Sequence, residues 1–341
     1  MSPPAVSVIV PCRNERGAID AFVAGVLAQE PVAGGLELLI ADGGSTDGTR
    51  ERLAELARAD PRCIVLDNPA GTVSPGLNLA IGQARGSVVV RMDVHTDYAP
   101  DYLRCCVEEL ARTGAGNVGG PARTRASGYF QRANATAYGS GFAVGGARFH
   151  DENFEGLVDT VPYGCWRRET LADLGPFDEE LVRNQDDEMN LRLSRRGGRI
   201  WQTPRIRSWY RPRGDPWSLF RQYFQYGYWK VRVIRKHRLP ASWRHLVPAL
   251  AVGTGILLLA ITPWVPWAAA LLGAALLAWL FLAIVAAVAA CRRTGEWDLL
   301  PVLPWVFAIY HAAYGAGFLL GLSDAVFRRH GPRSSAAELT R

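Results

Sequence analysis

The chain has 341 residues, 49% of them hydrophobic, a formal net charge of +6 and six cysteines. That length allows one large domain or two smaller ones. Cys12, Cys63, Cys105, Cys106, Cys165 and Cys291 form no CxxC pair and read as reduced thiols; the basic excess clusters beside apolar segments, so it signals anionic lipid rather than nucleic acid.

VSVIVP (6–11) is a continuous β-branched run, the pattern of a strand buried on both faces. Ile19, Phe22, Val23, Val26 and Leu27 then recur at helical spacing. LELLIAD (36–42) is a second strand, and STDGTRERLAELARAD a capped helix with Leu53 and Leu56 inward. CIVLDN (63–68) is a third strand, a helix follows over roughly 76–84, and GSVVVRMD is a fourth strand. Strands alternating with helices predict an α/β fold with a parallel sheet.

Such sheets bind ligands at the carboxyl ends of their strands. Those ends carry Arg13, Asn14 and Glu15, then Asp42, then Asp67 and Asn68, then Asp93, His95 and Asp97. Taken alone, DGGSTDGT is a turn, with Asp42 starting it and Asp47 capping the next helix. Four polar strand ends in succession point instead to a shared cleft. No GxGxxG, GxxxxGK or GxSxG motif follows these strands. A bound phosphate therefore has its charge balanced by a metal ion or by arginines.

The last third is different in kind. Leu246–Cys291 contains no Asp, Glu, Lys or Arg, nor does Leu299–Ser323. The first stretch is about twice the ~20 residues that cross a bilayer, and TPWVPW (262–267) breaks it into two helices. The N-terminus lacks a basic leader and a long apolar core, so residues 1 to 240 are expected in the cytosol. KVRVIRKHRLPASWR (230–244), with six Lys or Arg and no acid, fits that side. A third span would put Arg328, Arg329 and Arg333 outside, against the same rule, unless that segment is re-entrant or the first block crosses differently.

VSVIVPCRNE, LLIADGGSTDGT, GLNLAIGQARGSVVVRMDVHTDY and NQDDEMNLRLSRRGG, in this order, resemble the family-2 inverting glycosyltransferases. The resemblance covers nearly all of residues 5–230, and the apolar tail resembles the bacterial exopolysaccharide members, the succinoglycan-type glucosyltransferases in particular. It implies a GT-A nucleotide-sugar-binding fold over 1–228, a basic interfacial linker over 229–245, two to three transmembrane helices over 246–325 and a polar tail over 326–341. The implied localisation is the cytoplasmic (inner) membrane, multi-pass, with the catalytic domain cytosolic.

The same resemblance assigns roles. Asp93 matches the first acid of the family's Asp-x-Asp and His95 stands at the second, which usually ligates the metal. The expected metal set is His95, Asp93 and Asp97. Imidazole favours Mn²⁺ over Mg²⁺; the alternative is that His95 only bonds a phosphate. Pro11, Arg13, Glu15, Asp42, Gly120 and Arg213 are expected at the nucleotide sugar. In RNQDDEMNLRL, Asp186 is the expected base for the acceptor hydroxyl, with Asp187 as runner-up and Glu188 as the later acid; three acids also suit a helix start. Tyr163 and Trp166 are candidates for stacking on the acceptor. Gln222 and Tyr226 stand where processive synthases carry Gln-x-x-Arg-Trp; the Arg is missing, which suits transfer of a single sugar. Trp217, Phe220, Phe224 and Trp229, interleaved with Arg and Lys, equally make an interfacial helix.

The implied partners are a nucleotide-sugar donor, UDP-glucose foremost, a lipid-linked glycan acceptor, membrane lipid and a polysaccharide-synthesis complex. Two alternatives stand beside this: transfer to polyprenyl phosphate, and an inactive nucleotide-sugar-binding scaffold of an export complex. Asn134-Ala-Thr136 is a glycosylation sequon by chance if its domain is cytosolic.

Overall fold

The computed structural model describes residues 3–238, 242–327 and 336. Arg328, Arg329 and Arg333 lie outside the described residues. The chain divides into two compact units, Met1–Arg123 with Arg148–Arg211, and Thr124–Ala147 with Pro212–Arg341. A middle segment and the chain from Pro212 belong with the apolar helices.

The first unit opens with β1 (Val6–Cys12), α1 (Ile19–Leu27), β2 (Leu36–Asp42), α2 (Thr49–Ala59), β3 (Cys63–Asp67), α3 (Val73–Gln83) and β4 (Val88–Arg91). It continues with β5 (Thr96–Tyr98), α4 (Tyr102–Thr113), β6 (Asn117–Gly119) and a two-residue strand, β7 (Arg123–Thr124), where the chain leaves the unit. Residues 124–147 of the second unit supply α5 (Tyr129–Tyr138) and α6 (Gly141–Val144). The first unit resumes with β8 (Gly156–Leu157), β9 (Cys165–Arg167), α7 (Arg168–Leu174), α8 (Gln185–Arg195), β10 (Ile200–Gln202) and β11 (Ser208–Tyr210).

Eight strands form one sheet in the order β3-β2-β1-β4-β9-β6-β10-β8. β1 runs parallel to β2 and β4, β2 to β3, and β6 to β10. β9 runs antiparallel to both β4 and β6, and β8 to β10, so the sheet is mostly but not wholly parallel. The reversal at β9 follows a turn in which Tyr163 and Gly164 both take positive φ (60° and 103°). A Cβ on Gly164 would lie 2.4 Å from the Trp166 ring, so glycine is required there.

Side chains alternate across a strand. Val6, Val8 and Val10 face one core, packed with Phe22 and Val26 of α1 and Leu103 and Leu110 of α4. Ile9, Leu39 and Val89 face the other, with Leu77 of α3 and Met189 and Leu193 of α8. Ser7 and Glu37 interrupt these apolar strands, and each is satisfied: Ser7 Oγ donates to Glu37 Oε1 at 2.6 Å and Arg85 pairs with Glu37.

The second unit adds α9 (Pro216–His237), α10 (Val247–Ile261), α11 (Pro266–Thr294) and α12 (Leu303–Val326). Among the described residues of this unit, three helices are long and apolar enough to cross a membrane: Trp243–Ile261, Pro266–Thr294 and Leu303–Val326. Leu250, Ile256, Leu257, Leu276, Leu277 and Phe281 are exposed on the first two, as a lipid-facing surface requires. α5 is tied to this unit by Arg132, which pairs with Glu296 at 2.7 Å and Asp298 at 3.0 Å. Asn134 is buried, donating to the Arg213 carbonyl and accepting from the Tyr310 hydroxyl at 2.7 Å, so the sequon is closed to glycosylation in this fold.

Candidate active site

The parallel register brings the ends of β1, β2, β3 and β4 to one rim: Cys12 lies beside Asp42, Asp42 beside Asp67, and Ile9 beside Arg91. The loops after β1 and β2 are stitched together there. Asn14, at positive φ, accepts from the Thr46 amide at 2.7 Å, and the Glu15 amide donates to Thr49 Oγ1 at 2.7 Å. Arg13 donates to the Gly71 carbonyl in the loop after β3, and Pro11 lies on β1 opposite Ala41.

Asp42 is buried and accepts from both the amide and the hydroxyl of Ser45, while Asp47 accepts from the Thr49 amide and hydroxyl. In this structure, then, Asp42 serves the turn that DGGSTDGT suggests locally.

β4 ends on Arg91, whose side chain is only 5% exposed. A buried guanidinium needs compensating charge, and it has two carboxylates. Arg91 Nε and Nη2 each donate to one oxygen of Asp93, both at 3.0 Å, a bidentate grip. Its Nη1 pairs with Asp186. The loop after β4 and the first turn of α8 thus converge on one side chain, and Asp93 and Asp186 are brought together. The Asp93 amide donates to the Tyr98 hydroxyl at 2.7 Å, and Tyr163 bonds Thr96 at 2.6 Å. Burial pushes the Tyr98 and Tyr163 phenols upward, so both stay neutral hydrogen-bonding groups.

Asp186 is pushed up to about 6, first by burial and then, against the pull of Arg91, by the neighbouring charges of Asp93 and Asp187. Its side chain remains 32% exposed. A carboxylate so placed is ionised at neutral pH, basic enough to take a proton, and reachable. α8 is fixed beneath it by a buried chain: Asn190 Nδ2 donates to Thr160, Asn117 Nδ2 to Asn190, and the Cys165 amide to Asn117.

Three of the expected site residues are placed in the packed interior. Glu188 is fully buried and paired with Arg192, which also donates to the Leu174 and Pro176 carbonyls, so this pair braces α8. Trp166 is 2% exposed, edge-on to Phe177 in the core of α3 and α8, and has no face open to a sugar. Gly120 answers to packing, since a Cβ there would lie 1.9 Å from the Ile206 carbonyl oxygen. Asp187 sits half-buried beside Asp186.

The three residues expected to hold a metal face different partners. Asp93 is gripped by Arg91, Asp97 of β5 meets Arg211 at 3.4 Å, and the exposed His95 meets Glu15 at 2.8 Å. Among the described residues no three His, Cys, Asp or Glu side chains gather as a ready-made cation site. The imidazole and carboxylate of His95 and Glu15 are a mixed nitrogen and oxygen pair, donors of a kind that suits a divalent ion. Arg213, Gln222 and Tyr226 belong to the second unit, where Gln222 donates to the Tyr226 hydroxyl at 3.0 Å.

Arg91 is the residue that motif reading passes over. Its signal was present: it is the one charge in VVVRMD before the acid, and residues two apart on an extended strand share a face.

A mostly parallel sheet with acids at its strand ends and a carboxylate-bearing helix beside them defines a nucleotide-sugar-type transferase fold. Similarity to known proteins agrees. The profile of the family described as Glycosyl transferase family 2 matches residues 7–174. The succinoglycan biosynthesis protein ExoA of Rhizobium meliloti (strain 1021) is 34% identical over 331 residues, covering 94% of this chain and 96% of that one. A dolichyl N-acetyl-alpha-D-glucosaminyl phosphate 3-beta-D-2,3-diacetamido-2,3-dideoxy-beta-D-glucuronosyltransferase of Methanococcus voltae is 25% identical over 246 residues, covering 70% and 76%. Among solved structures, the mannosyltransferase PcManGT of Pyrobaculum calidifontis, in complex with GDP-Man and Mn²⁺, superposes with a TM-score of 0.58 at 21% identity, covering 97% and 89%. This chain belongs to glycosyltransferase family 2.

Proposed function

We propose that the chain transfers one hexose, with inversion, from a nucleotide sugar to a hydroxyl of a lipid-linked glycan at the cytosolic face of the inner membrane. UDP-glucose is the donor we favour, and exopolysaccharide synthesis the setting; the name of the Rhizobium relative supports the latter. The observation that carries the reading is Asp186: raised to about 6, partly open, and joined to Asp93 through Arg91.

In this mechanism Asp186 accepts the proton of the acceptor hydroxyl as its oxygen bonds to the anomeric carbon. The bond from that carbon to the diphosphate breaks on the opposite side, which inverts the centre and releases the nucleoside diphosphate. Asp93 orients the donor, and Arg91 acts through both carboxylates by fixing where they point. A divalent ion, Mn²⁺ or Mg²⁺, held by His95 with Glu15 would neutralise charge on the diphosphate. The half-buried Tyr163, bonded to Thr96 beside Asp93, is the acceptor-side contact we retain from the first unit.

The test is a screen of labelled nucleotide sugars against membrane lipid extract, using the full chain in detergent and mass analysis of products. One donor consumed with one hexose added to a lipid-linked glycan is the expected result. No transfer from any donor, with UDP still bound, would instead make the chain a binding scaffold. Wild-type turnover by Asp186→Asn would remove Asp186 as base.

A further inference from the structure

Three helices qualify as spans by length and composition, yet one of them keeps company that cannot enter a bilayer. α12 and α9 lie backbone to backbone. A Cβ on Gly317 would fall 1.9 Å from the Phe224 carbonyl oxygen, one on Gly227 2.1 Å from that of Tyr314, and one on Gly321 2.7 Å from that of Tyr228. Both partners advance together along the chain, Phe224 with Gly317 and then Tyr228 with Gly321, so the two helices run parallel. Tyr223 stacks against Tyr310 with ring centroids 4.0 Å apart, and the Tyr228 hydroxyl donates to Asp324 at 2.9 Å. The shared face therefore extends from Tyr310 to Asp324, about 21 Å of helix.

α9 is not a span. It carries Arg221, Lys230, Arg232, Arg235 and Lys236 with no acid between Pro216 and His237. Lys230 sits in its buried middle, and Arg235 and Lys236 are exposed at its end. Charged side chains at bilayer depth are strongly penalised, whereas beside anionic headgroups they are favoured. If α12 crossed the bilayer, it would draw α9 in alongside it.

α12 itself differs from the other two candidates. Half (50%) of its apolar window is covered by protein, against 11% for each of the others, and it contains Asp324 and His311. The Gly317–Gly321 spacing that could read as a span's packing motif is used here against α9.

We infer that the chain crosses the membrane twice, through α10 and α11, and that α9 and α12 form a helix pair lying at one membrane surface among anionic lipid headgroups. Trp264 and Trp267, exposed at the break between α10 and α11, mark the far interface. An even number of crossings also returns the Arg-rich sequence after α12 to the side of the basic 230–244 segment.

The test places single cysteines, in the full chain expressed in a Gram-negative host, at Trp264, Trp297 and Phe327, all exposed. A membrane-impermeant maleimide is applied to spheroplasts and to inverted vesicles. Trp297→Cys and Phe327→Cys are expected to react from the same side and Trp264→Cys from the other. Reaction of Trp297→Cys and Phe327→Cys from opposite sides would overturn the inference. If Phe327→Cys reacts from neither side, a reporter fused after residue 341 decides. A β-galactosidase or alkaline phosphatase readout that places the reporter on the side from which Trp297→Cys reacts supports two crossings, and one that places it on the opposite side overturns them. The inference does not depend on the transferase reading: an inverted orientation, with Trp264→Cys labelled from within, would remove the cytosolic site while leaving Trp297 and Phe327 together.

Discussion

Arg91 and Asp186, 95 residues apart in sequence, form an ion pair at the junction of β4 and α8. Because the same guanidinium grips Asp93 bidentately, it sets the geometry of the carboxylates on both sides of the proposed reaction. Arg91→Lys keeps the charge and loses the planar fork. It should lower kcat about 10-fold or more, the scale of one charge-assisted hydrogen bond, and raise the donor KM. Steady-state kinetics on both substrates checks this; an unchanged kcat would show that the fork has no part in positioning.

The raised Asp186 pKa gives a signed pH dependence. As a base it must be ionised, so kcat should fall as pH drops through about 6. Stability runs the other way. A carboxyl whose folded pKa lies above its unfolded value stabilises the fold most below the unfolded value, and loses that contribution as pH rises through about 6. The Tm of Asp186→Asn minus that of wild type should therefore grow between pH 4 and pH 7. The corresponding free energy is at most about 3 kcal/mol, reduced by solvent access to the side chain. Thermal unfolding in detergent at stepped pH measures it, and a difference flat with pH would sink the assignment.

Much of this arrangement is legible in the residue order alone. β1, β2, β3 and β4 announce themselves because a buried parallel strand needs an unbroken apolar run, and the polar residues that end those runs do meet at one rim. Other parts carry no local signature. β9 joins the sheet antiparallel through only three residues, and nothing in CWR marks it as a central strand. Residues 124–147 fall inside the span 1–228 expected for the nucleotide-sugar-binding fold, yet Arg132, Asn134 and Phe142 bond to residues 160 or more positions later. The burial of Trp166 has no local signature, because an aromatic near a site has the same letter whether it stacks on ligand or fills the core.

Core placement of Trp166 makes a clear forecast. Trp166→Ala should cost about 3–5 kcal/mol of stability, the usual range for an aromatic deleted from a core. Trp166→Phe should fold and retain the wild-type acceptor KM. An acceptor KM raised tenfold in a stably folded Trp166→Phe would restore the stacking role.

His95 stands where the family's Asp-x-Asp has its second acid, and its imidazole lies 2.8 Å from Glu15. Transfer should stop in excess chelator and return with added divalent ion, Mn²⁺ at least matching Mg²⁺ because imidazole suits the softer ion. His95→Asp replaces that nitrogen by oxygen and should move the Mg²⁺ to Mn²⁺ activity ratio upward by severalfold. Parallel titrations of both metals on wild type and variant give the ratio. If the substitution leaves it unchanged while overall activity persists, His95 bonds the phosphate instead of the ion.

The close α9–α12 contact predicts a sensitivity that ordinary surface helices lack. Gly317→Val would set branched carbons against the Phe224 carbonyl, where even one added carbon meets oxygen at 1.9 Å. Overpacking of a rigid contact costs about 1–3 kcal/mol, so the variant should show a lowered Tm and reduced yield in detergent. Gly273→Val, on α11 with open space around its Cβ position, is the control and should behave as wild type. Equal Tm values for the two variants would mean that α9 and α12 are not packed this closely, and the argument that ties α12 to the membrane surface would lose its footing.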